Sequence, residues 1–292
     1  MDKEIPKVYY NDLRKLRIEV MNFSQLFDSL NQSSNHNPFA VHKIEFYLIL
    51  VVTKNTYTHF VDFKSYELTE GSALFIAKNQ VHHFTRGLEE AEGYCVIFTS
   101  LFTDKYHFLS DNLKVNRLFN YHIETPLILQ EEMGDDNLVD TATLLYNEYQ
   151  FANAFAKPEV LSALLQVLLL KAERAKDFQS ISGVKLHWLE LFNNFKDMLE
   201  VEYVNTRNSK DYASKLFISY KFLNDIVKEL TGKTAKAFID DFVCIEIKRL
   251  LVSTSLSVKE ISYQTGFEDS ANMVKFFKKN MKTTPLKFRQ QK

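Results

Sequence analysis

Short apolar runs separated by turn residues fill the chain between about residue 39 and residue 99. Each run is rich in β-branched and aromatic side chains, which is typical of β-strands. Lys-Asn and Glu-Gly pairs lie between the runs, as expected at hairpin turns. The spacing predicts a sandwich or barrel, with strands at 46–52, 57–63, 73–77, 81–85 and 94–98 and one more at 126–130.

From residue 137 the apolar positions recur at helical spacing. They predict one helix over 137–156 and a second that begins near Pro158, since proline is favoured in the first turn, and ends near 177. The second helix is apolar on two sides and so needs two burial partners. We interpret one as the β domain and the other as the same helix of a second chain, with burial inside one chain as the alternative. The stripe assigned to dimerisation is Leu161, Leu164, Leu165, Leu168 and Leu169.

Residues 179–184 have the small and polar side chains of a linker, and helical patterns fill the chain after them. The predicted helices are 185–203, 209–217, 219–230, 236–253, 257–265 and 269–280, with a last turn from Pro285. The fold class is therefore α+β with two domains. The predicted parts are a β domain over 1–135, a helical dimerisation segment over 136–178, a linker over 179–184 and an all-α domain over 185–292.

Two stretches of the all-α domain repeat one pattern about fifty residues apart. DYASKLFISYKFLNDIVKEL (211–230) and ISYQTGFEDSANMVKFFKKN (261–280) each combine a short helix, a tight turn and a longer helix with one apolar stripe. A spacer helix over 236–253, about 27 Å long, separates them. That length is comparable with the ~34 Å repeat of the DNA major groove. The repetition favours two DNA-reading helix-turn-helix units over ordinary helical hairpins.

The formal net charge of -1 conceals a strong asymmetry along the chain. Residues 205–292 hold 17 basic and 9 acidic side chains, whereas 1–204 hold 19 basic and 28 acidic ones. A basic C-terminal domain suits a nucleic-acid partner, and the alternative is a solvated basic face. Cys95 and Cys244 lie in apolar segments, and the first twenty residues lack the apolar core of a signal peptide. We expect a cytoplasmic protein that has no membrane as its partner.

The repeated helices resemble the DNA-binding domain of the AraC/XylS family of bacterial transcription regulators. SLSVKEISYQTGFEDSANMVKFFKKNMKTTPLKFR (255–289) and YKFLNDIVKELTGKT (220–234) carry the resemblance. More loosely, VHKIEFYLIL (41–50) and GSALFIAKNQVHHF (71–84) resemble that family's cupin-like effector-binding barrel. The resemblance implies a cupin-like β-barrel with a helical pair, followed by a double helix-turn-helix domain. It implies a homodimer that binds double-stranded DNA and a small-molecule effector of unknown identity, with RNA polymerase as a further candidate partner.

The same resemblance assigns roles to individual residues. Asparagine and lysine can hydrogen-bond to base edges, and alanine and valine can touch a thymine methyl group. Lysine and arginine outside the grooves neutralise phosphates and position the domain. The base-reading positions are Lys221, Asn224 and Asp225 in the first unit and Ala271, Asn272, Val274 and Lys275 in the second, and the phosphate-binding positions are Lys278, Lys279, Lys287 and Arg289.

Several residues depart from the family pattern. Asp225 stands where arginine is usual, and phosphates repel a carboxylate unless it accepts from a cytosine amino group. Phe217 and Lys282 stand where glycines are usual, and Asn272–Met273 replaces a common aromatic pair. We therefore rank the second unit above the first for direct base recognition.

Cupin barrels often hold a catalytic metal, but this chain lacks the ligands. Ile44 and Leu48 stand where metal ligands would be expected, and His82 alone does not make a site. We predict no metal, no cofactor and no catalytic residue. The rival functions are a DNA-binding regulator without a small ligand and a cupin-type metalloenzyme. The effector pocket, for which a barrel filled by its own side chains is the alternative, is assigned to Phe46, Leu48, His59, Phe75, His82, Tyr94 and Phe98.

Overall fold

The computed structural model describes residues 5–8, 16–32, 37–105, 118–119, 125–152, 155–176 and 186–290. Two compact units make up the chain: Pro6–Phe178, and Gln179–Lys292 together with Met1–Ile5. The predicted linker at 179–184 lies outside the described residues. Within the described residues, no helix combines the length and the apolar character that crossing a membrane requires.

The N-terminal unit contains ten strands and four α-helices among its described residues. The strands are β1 (Lys7–Val8), β2 (Ile18–Asn22), β3 (His42–Ile44), β4 (Tyr47–Lys54), β5 (Tyr57–Val61), β6 (Lys64–Leu68), β7 (Ala73–Ile76), β8 (Val81–His83), β9 (Glu92–Phe98) and β10 (Leu127–Ile128). The helices are α1 (Phe23–Gln32), α2 (Ser100–Lys105), α3 (Val139–Gln150) and α4 (Lys157–Ala175). The six strands and two helices predicted for this region are all present, and β1, β2, β3, β6, α1 and α2 were not predicted.

The strands form two five-stranded sheets, ordered β1-β3-β8-β5-β6 and β10-β7-β4-β9-β2. All pairings are antiparallel except that of β1 with β3. Leu48 and Leu50 of one sheet share a buried cluster with Tyr57 and Val61 of the other, so the sheets pack face to face. No strand pair in the described part of the chain joins the two sheets, so the expected closed barrel is not seen. The arrangement agrees with the alternative of a sandwich.

The sheet that contains β4 is buried on both faces. Along β4, Leu48, Leu50 and Val52 point towards the other sheet, while Ile49 and Val51 point towards α3 and α4. Successive side chains of a strand alternate between the two faces. This double burial explains why β4 is an unbroken apolar run in the sequence rather than an alternating one.

Helix α4 packs on that sheet with the leucine stripe that was assigned to dimerisation. Leu161, Leu165, Leu168 and Leu169 are buried in the core of the same unit, and Leu164 packs against it. Each buried leucine contributes roughly 1.5–3 kcal/mol of hydrophobic stabilisation. The assignment of this stripe to a subunit interface is therefore wrong, because its side chains face the sheet. The opposite face exposes Val160, Val167 and Leu170 by 38%, 43% and 44%.

The C-terminal unit is all α, as predicted. Its helices are α5 (Leu186–Glu202), α6 (Ser209–Lys215), α7 (Tyr220–Thr231), α8 (Ala235–Ser253), α9 (Val258–Gln264), α10 (Ser270–Met281) and α11 (Pro285–Gln290), each within two residues of its predicted bounds. Five of them begin after a side-chain oxygen that accepts from a first-turn N–H, which stabilises a helix start by about 1 kcal/mol. These capping residues are Asn208, Ser219, Thr234, Ser257 and Asp269.

Candidate nucleic-acid interface

The two predicted helix-turn-helix units have the same hydrogen bonds at their turns. The N–H of Ile218 donates to the carbonyl of Ala213 at 3.0 Å, and that of Phe267 donates to Ser262 at 2.8 Å. Both members of the second pair lie 49 residues after those of the first. A buried small residue therefore stands at the same place in both units, where α6 or α9 ends close to the helix that follows it. The duplicated helix pair is confirmed at the level of backbone geometry.

The repeat continues beyond the turns, at a spacing of 50 residues. Helices α7 and α10 end at Gly232 and Lys282, both left-handed with φ of 70° and 57°. Thr234 and Thr284 follow, and their hydroxyls accept from N–H groups three residues on, at 3.2 and 3.3 Å. The change from 49 to 50 means that the turn of the second unit is one residue longer than that of the first.

Gly266 is required by the shape of the second turn. Its φ is 76°, in the region that glycine adopts without a steric penalty. A Cβ at this position would collide with the carbonyl oxygen of Val204. The equivalent residue of the first unit is Phe217, which is left-handed with φ of 56° and is 96% exposed. The second turn thus needs glycine for a close approach, whereas the first turn accommodates a side chain in solvent.

Helix α10 has a buried face and an exposed face. Met273 and Phe277 are buried, and Phe267 packs on Phe276 with 5.3 Å between ring centroids. Most of the side chains predicted to read bases or bind phosphates are exposed on the other side. These are Ala271, Asn272, Lys275, Lys278 and Lys279, with Val274 partly exposed.

Asn272 also takes part in capping α10. Its backbone N–H donates to Asp269 at 2.8 Å, and its side-chain amide donates to the other carboxylate oxygen at 2.6 Å. One amide hydrogen is therefore engaged within the chain, while the carbonyl oxygen of the side chain remains an acceptor that could meet a base edge.

The charges on the two second helices differ. Between 270 and 282 there are four lysines and no acidic residue. On α7 the exposed Lys221 and Lys228 are offset by the exposed Asp225 and Glu229. Lysines near a helix C-terminus also stabilise the helix by 0.3–1 kcal/mol each, which is the alternative explanation for Lys278 and Lys279.

Asn224 has a structural contact that the sequence did not reveal. Its side-chain oxygen accepts from the N–H of Ala235, the first residue of α8, at 3.1 Å. This bond joins α7 to α8 and satisfies one of the unpaired N–H groups at the start of α8. One acceptor site of Asn224, a predicted base-reading residue, is therefore used inside the protein, while its side-chain amide has two hydrogens to donate.

Arg289 makes two hydrogen bonds to backbone carbonyls within the chain. Its Nε donates to the carbonyl of Leu251 at 2.9 Å, and its Nη2 donates to that of Leu256 at 2.7 Å. These carbonyls lie near the end of α8 and just before α9, so Arg289 fastens α11 to that junction. Two of the five guanidinium N–H groups are thus held by backbone acceptors, a structural role that the sequence did not predict, and the phosphate contact of Arg289 stays a prediction. Lys287, on the same short helix, is exposed.

The seven residues assigned to an effector pocket do not line one space. Leu48 and Phe46 face the interior between the two sheets, together with His59 and His82. Phe75, Tyr94 and Phe98 lie on the opposite face of the same sheet, in the cluster formed with α3 and α4. The assignment to a single pocket is therefore wrong.

A chain of buried polar side chains runs along the inner face of the sheet that contains β5 and β8. Thr85 N–H donates to the Tyr57 hydroxyl at 3.3 Å, which lies 3.0 Å from His59 Nδ1, and His59 Nε2 lies 3.0 Å from His82 Nδ1. Burial lowers the pKa of His59 to about 3 and raises the pKa of Tyr57. At neutral pH His59 and Tyr57 are therefore uncharged.

The polar chain does not form a metal site. In the described parts of the sequence, no group of three or more His, Cys, Asp or Glu side chains is arranged to hold a metal ion. What the arrangement offers is a set of neutral donors and acceptors in an apolar interior.

Comparisons with known proteins give a family match for the C-terminal unit and relatives along most of the chain. Residues 212–291 match a family described as a helix-turn-helix domain. The chain is 23% identical over 288 residues to the HTH-type transcriptional activator RhaS of Shigella flexneri, covering 93% of this chain and 97% of that protein. RhaS of Escherichia coli strain K12 / DH10B is 23% identical over 263 residues, with coverages of 86% and 88%. Among solved structures, ToxT of Vibrio cholerae O395 is 13% identical with a TM-score of 0.45, covering 94% of this chain and 98% of that one.

Proposed function

We infer that this chain, a member of the AraC/XylS family of transcription regulators, binds specific DNA sequences through its C-terminal unit and thereby controls transcription. The observation that carries this function is the duplicated helix-turn-helix, in which α10 exposes a lysine-bearing face. The protein is a regulator rather than an enzyme, since the relatives that match along most of its length are transcriptional activators.

The two units contribute unequally to recognition. Ala271, Val274 and Lys275 on α10 are available to base edges, and Lys278, Lys279 and Lys287 bind phosphates. In the first unit Asn224 is engaged within the chain and Asp225 opposes the phosphates, so α7 recognises bases weakly through Lys221. Helix α8, about 28 Å long, separates the two recognition helices by a distance suited to successive major grooves.

This function is tested by selecting bound sites from a pool of random DNA duplexes at a fixed salt concentration. The wild type should enrich two short boxes about one helical turn, ~10 bp, apart. Lys275→Ala should remove the definition of one box, since a good base contact discriminates by about 1–3 kcal/mol. Lys64→Ala, an exposed lysine of the N-terminal unit, is the matched control and should leave both boxes unchanged. Binding without any sequence preference would contradict the proposal.

The N-terminal unit is the regulatory part. A small effector bound between its two sheets, as in a cupin-like barrel, would meet the neutral groups of Tyr57, His59 and His82 in apolar surroundings, which is typical of ligand sites. An effector that prefers one arrangement of this unit would shift how the DNA-binding units are presented. A regulator without a small ligand is the rival. A thermal-shift panel of metabolites separates the two, because a ligand of the native state raises the melting temperature.

The proposed setting follows from this function. The protein acts in a bacterial cytoplasm as a homodimer on double-stranded DNA, with RNA polymerase as a candidate partner. The dimer contact lies on the exposed face of α4 rather than on its leucine stripe, because only the exposed face is open to a second chain.

A further inference from the structure

The loop between α5 and α6 lies against the turn of the second helix-turn-helix unit. The carbonyl of Val204 approaches Gly266 so closely that no Cβ fits there. Arg207 Nη2 donates to the carbonyl of Gly266 at 2.9 Å. The guanidinium carbon lies 3.6 Å from the centroid of the Phe267 ring, within the range of a cation–π contact. The loop therefore contacts the second turn through the backbone and through a ring.

The same loop is fastened to the first unit. The Tyr212 hydroxyl donates to the carbonyl of Thr206 at 2.8 Å, and the Thr206 hydroxyl donates to Asp211 at 2.5 Å. The Asn208 side-chain amide donates to the same carboxyl group at 3.1 Å, and its oxygen caps α6. These bonds hold the loop to α6, so the loop moves with the first unit.

The contact made by Arg207 continues to the recognition helix of the second unit. Phe267 is buried and packs on Phe276 of α10. Burial lowers the pKa of Arg207, and its Nη1 is a buried nitrogen without a hydrogen-bond partner in the described structure. An arginine in solvent would avoid both the desolvation of its guanidinium and the buried nitrogen without a hydrogen bond. The contact with Gly266 and Phe267, and not the stabilisation of the charge, therefore explains why the side chain lies there.

We propose that Arg207 is a positioning residue that, with Gly266 and Phe267, fixes the angle between the two helix-turn-helix units and so restricts the spacing of the DNA boxes that the protein accepts. Helix α8 is the covalent connection between the two units, and each unit also packs on it. The loop adds a contact that passes directly from the first unit to the turn of the second. This inference rests on the proposed DNA-binding function.

The test measures affinity for duplexes in which the two selected boxes are moved apart or together one base pair at a time. The wild type should prefer one spacing. Arg207→Lys keeps the charge but loses the planar face, and Phe267→Leu keeps an apolar side chain but loses the ring. Each should reduce the preference for that spacing by about tenfold, the factor that contacts of this kind can supply. In Arg207→Lys, whose side chain belongs to the loop and not to the second unit, affinity for an isolated second box should stay unchanged.

Lys215→Gln is the matched control, because it breaks the 2.9 Å ion pair between Lys215 of α6 and Glu202 at the end of α5 and leaves the second turn untouched. It should retain the wild-type spacing profile. If folded Arg207→Lys keeps the wild-type dependence of affinity on box spacing, the inference about Arg207 is wrong, but the proposed DNA-binding function still stands. A wild type that selects no boxes would overturn the proposed function as well.

A second measurement needs no DNA. Spin labels on Ser214→Cys and Tyr263→Cys report the distance between the exposed sides of α6 and α9 in the full-length chain. The native Cys95 and Cys244 are buried and should not be labelled. The distance distribution should broaden in Arg207→Lys, and an equally narrow distribution in both proteins would contradict the proposal.

Discussion

At the scale of single residues, the turns of the two units respond oppositely to the same kind of change. Phe217 and Gly266 occupy equivalent places and both have positive φ. Only Gly266 faces a backbone carbonyl, whereas the Phe217 side chain lies in solvent. A large side chain in the left-handed region is strained by about 1–2 kcal/mol.

Phe217→Gly should therefore raise the free energy of unfolding by about 1 kcal/mol, because the strain is relieved and almost no packing is lost. Gly266→Ala should lower it by at least about 2 kcal/mol, since a Cβ meets both an unfavourable φ and the Val204 carbonyl. Urea denaturation followed by fluorescence of Trp188, which lies in the C-terminal unit, measures both. If both substitutions change the free energy of unfolding in the same direction, the proposed difference between the two turns is wrong.

Sequence reasoning missed the structural roles of residues whose partners are backbone groups far along the chain. Arg289 bonds to carbonyls of residues 251 and 256, and Asn224 bonds to the N–H of residue 235. Backbone donors and acceptors are present at every position, so the pattern of side chains does not reveal which of them will be met. The exposed lysines of α10 were predictable because they fall opposite a regular apolar stripe.

At the scale of elements, helices were more predictable than strands. Helices α7 and α10 show a clear 3.6-residue apolar period, and most helices of the C-terminal unit begin at a capping residue. β6 was missed because it is a polar edge strand, KSYEL. The pocket was mispredicted because β7 and β9 carry buried side chains on both faces, so their sequences could not show which side chains point between the sheets.

The polar chain between β5 and β8 should make stability fall in acid. The His59 pKa is about 3 in the folded protein, against 6.5 for the unfolded chain, so unfolding takes up a proton between these values. The stabilisation is complete above pH 6.5 and is lost as the pH falls towards 3, by up to about 1.4 kcal/mol per pH unit.

Urea unfolding followed by circular dichroism at pH 7.5, 6.5 and 5.5 checks this. Between pH 6.5 and 5.5 the wild type should lose about 1 kcal/mol more than His59→Gln, in which the buried group no longer titrates. The difference between the two proteins therefore reports the titration that depends on His59. Equal losses would show that His59 does not cause the decrease.

At the scale of the whole molecule, we expect substitutions on the two faces of α4 to have different effects, one on dimerisation and the other on folding. A charge on the exposed face should disrupt the proposed dimer, whereas a charge on the leucine stripe should unfold the unit. Leu170→Glu should raise the dimer Kd by at least about tenfold, because burying an unpaired carboxylate is costly.

Sedimentation velocity over a range of concentrations measures this change. Asn147→Glu, an exposed position on α3, is the control and should leave association as it is. Leu168→Glu should instead lower the melting temperature sharply. A Leu170→Glu protein that dimerises like the wild type would place the interface elsewhere.

The single extra residue in the second turn makes the two repeated units non-equivalent. The two units repeat one pattern, but the second turn is one residue longer than the first, and the units lie on either side of α8 in the chain. In the proposed complex, a chain bound to DNA therefore has two ends that are not interchangeable. A binding sequence inverted in place would present its boxes to the wrong units of that chain, so the orientation of the site on the chromosome would become part of what the protein recognises.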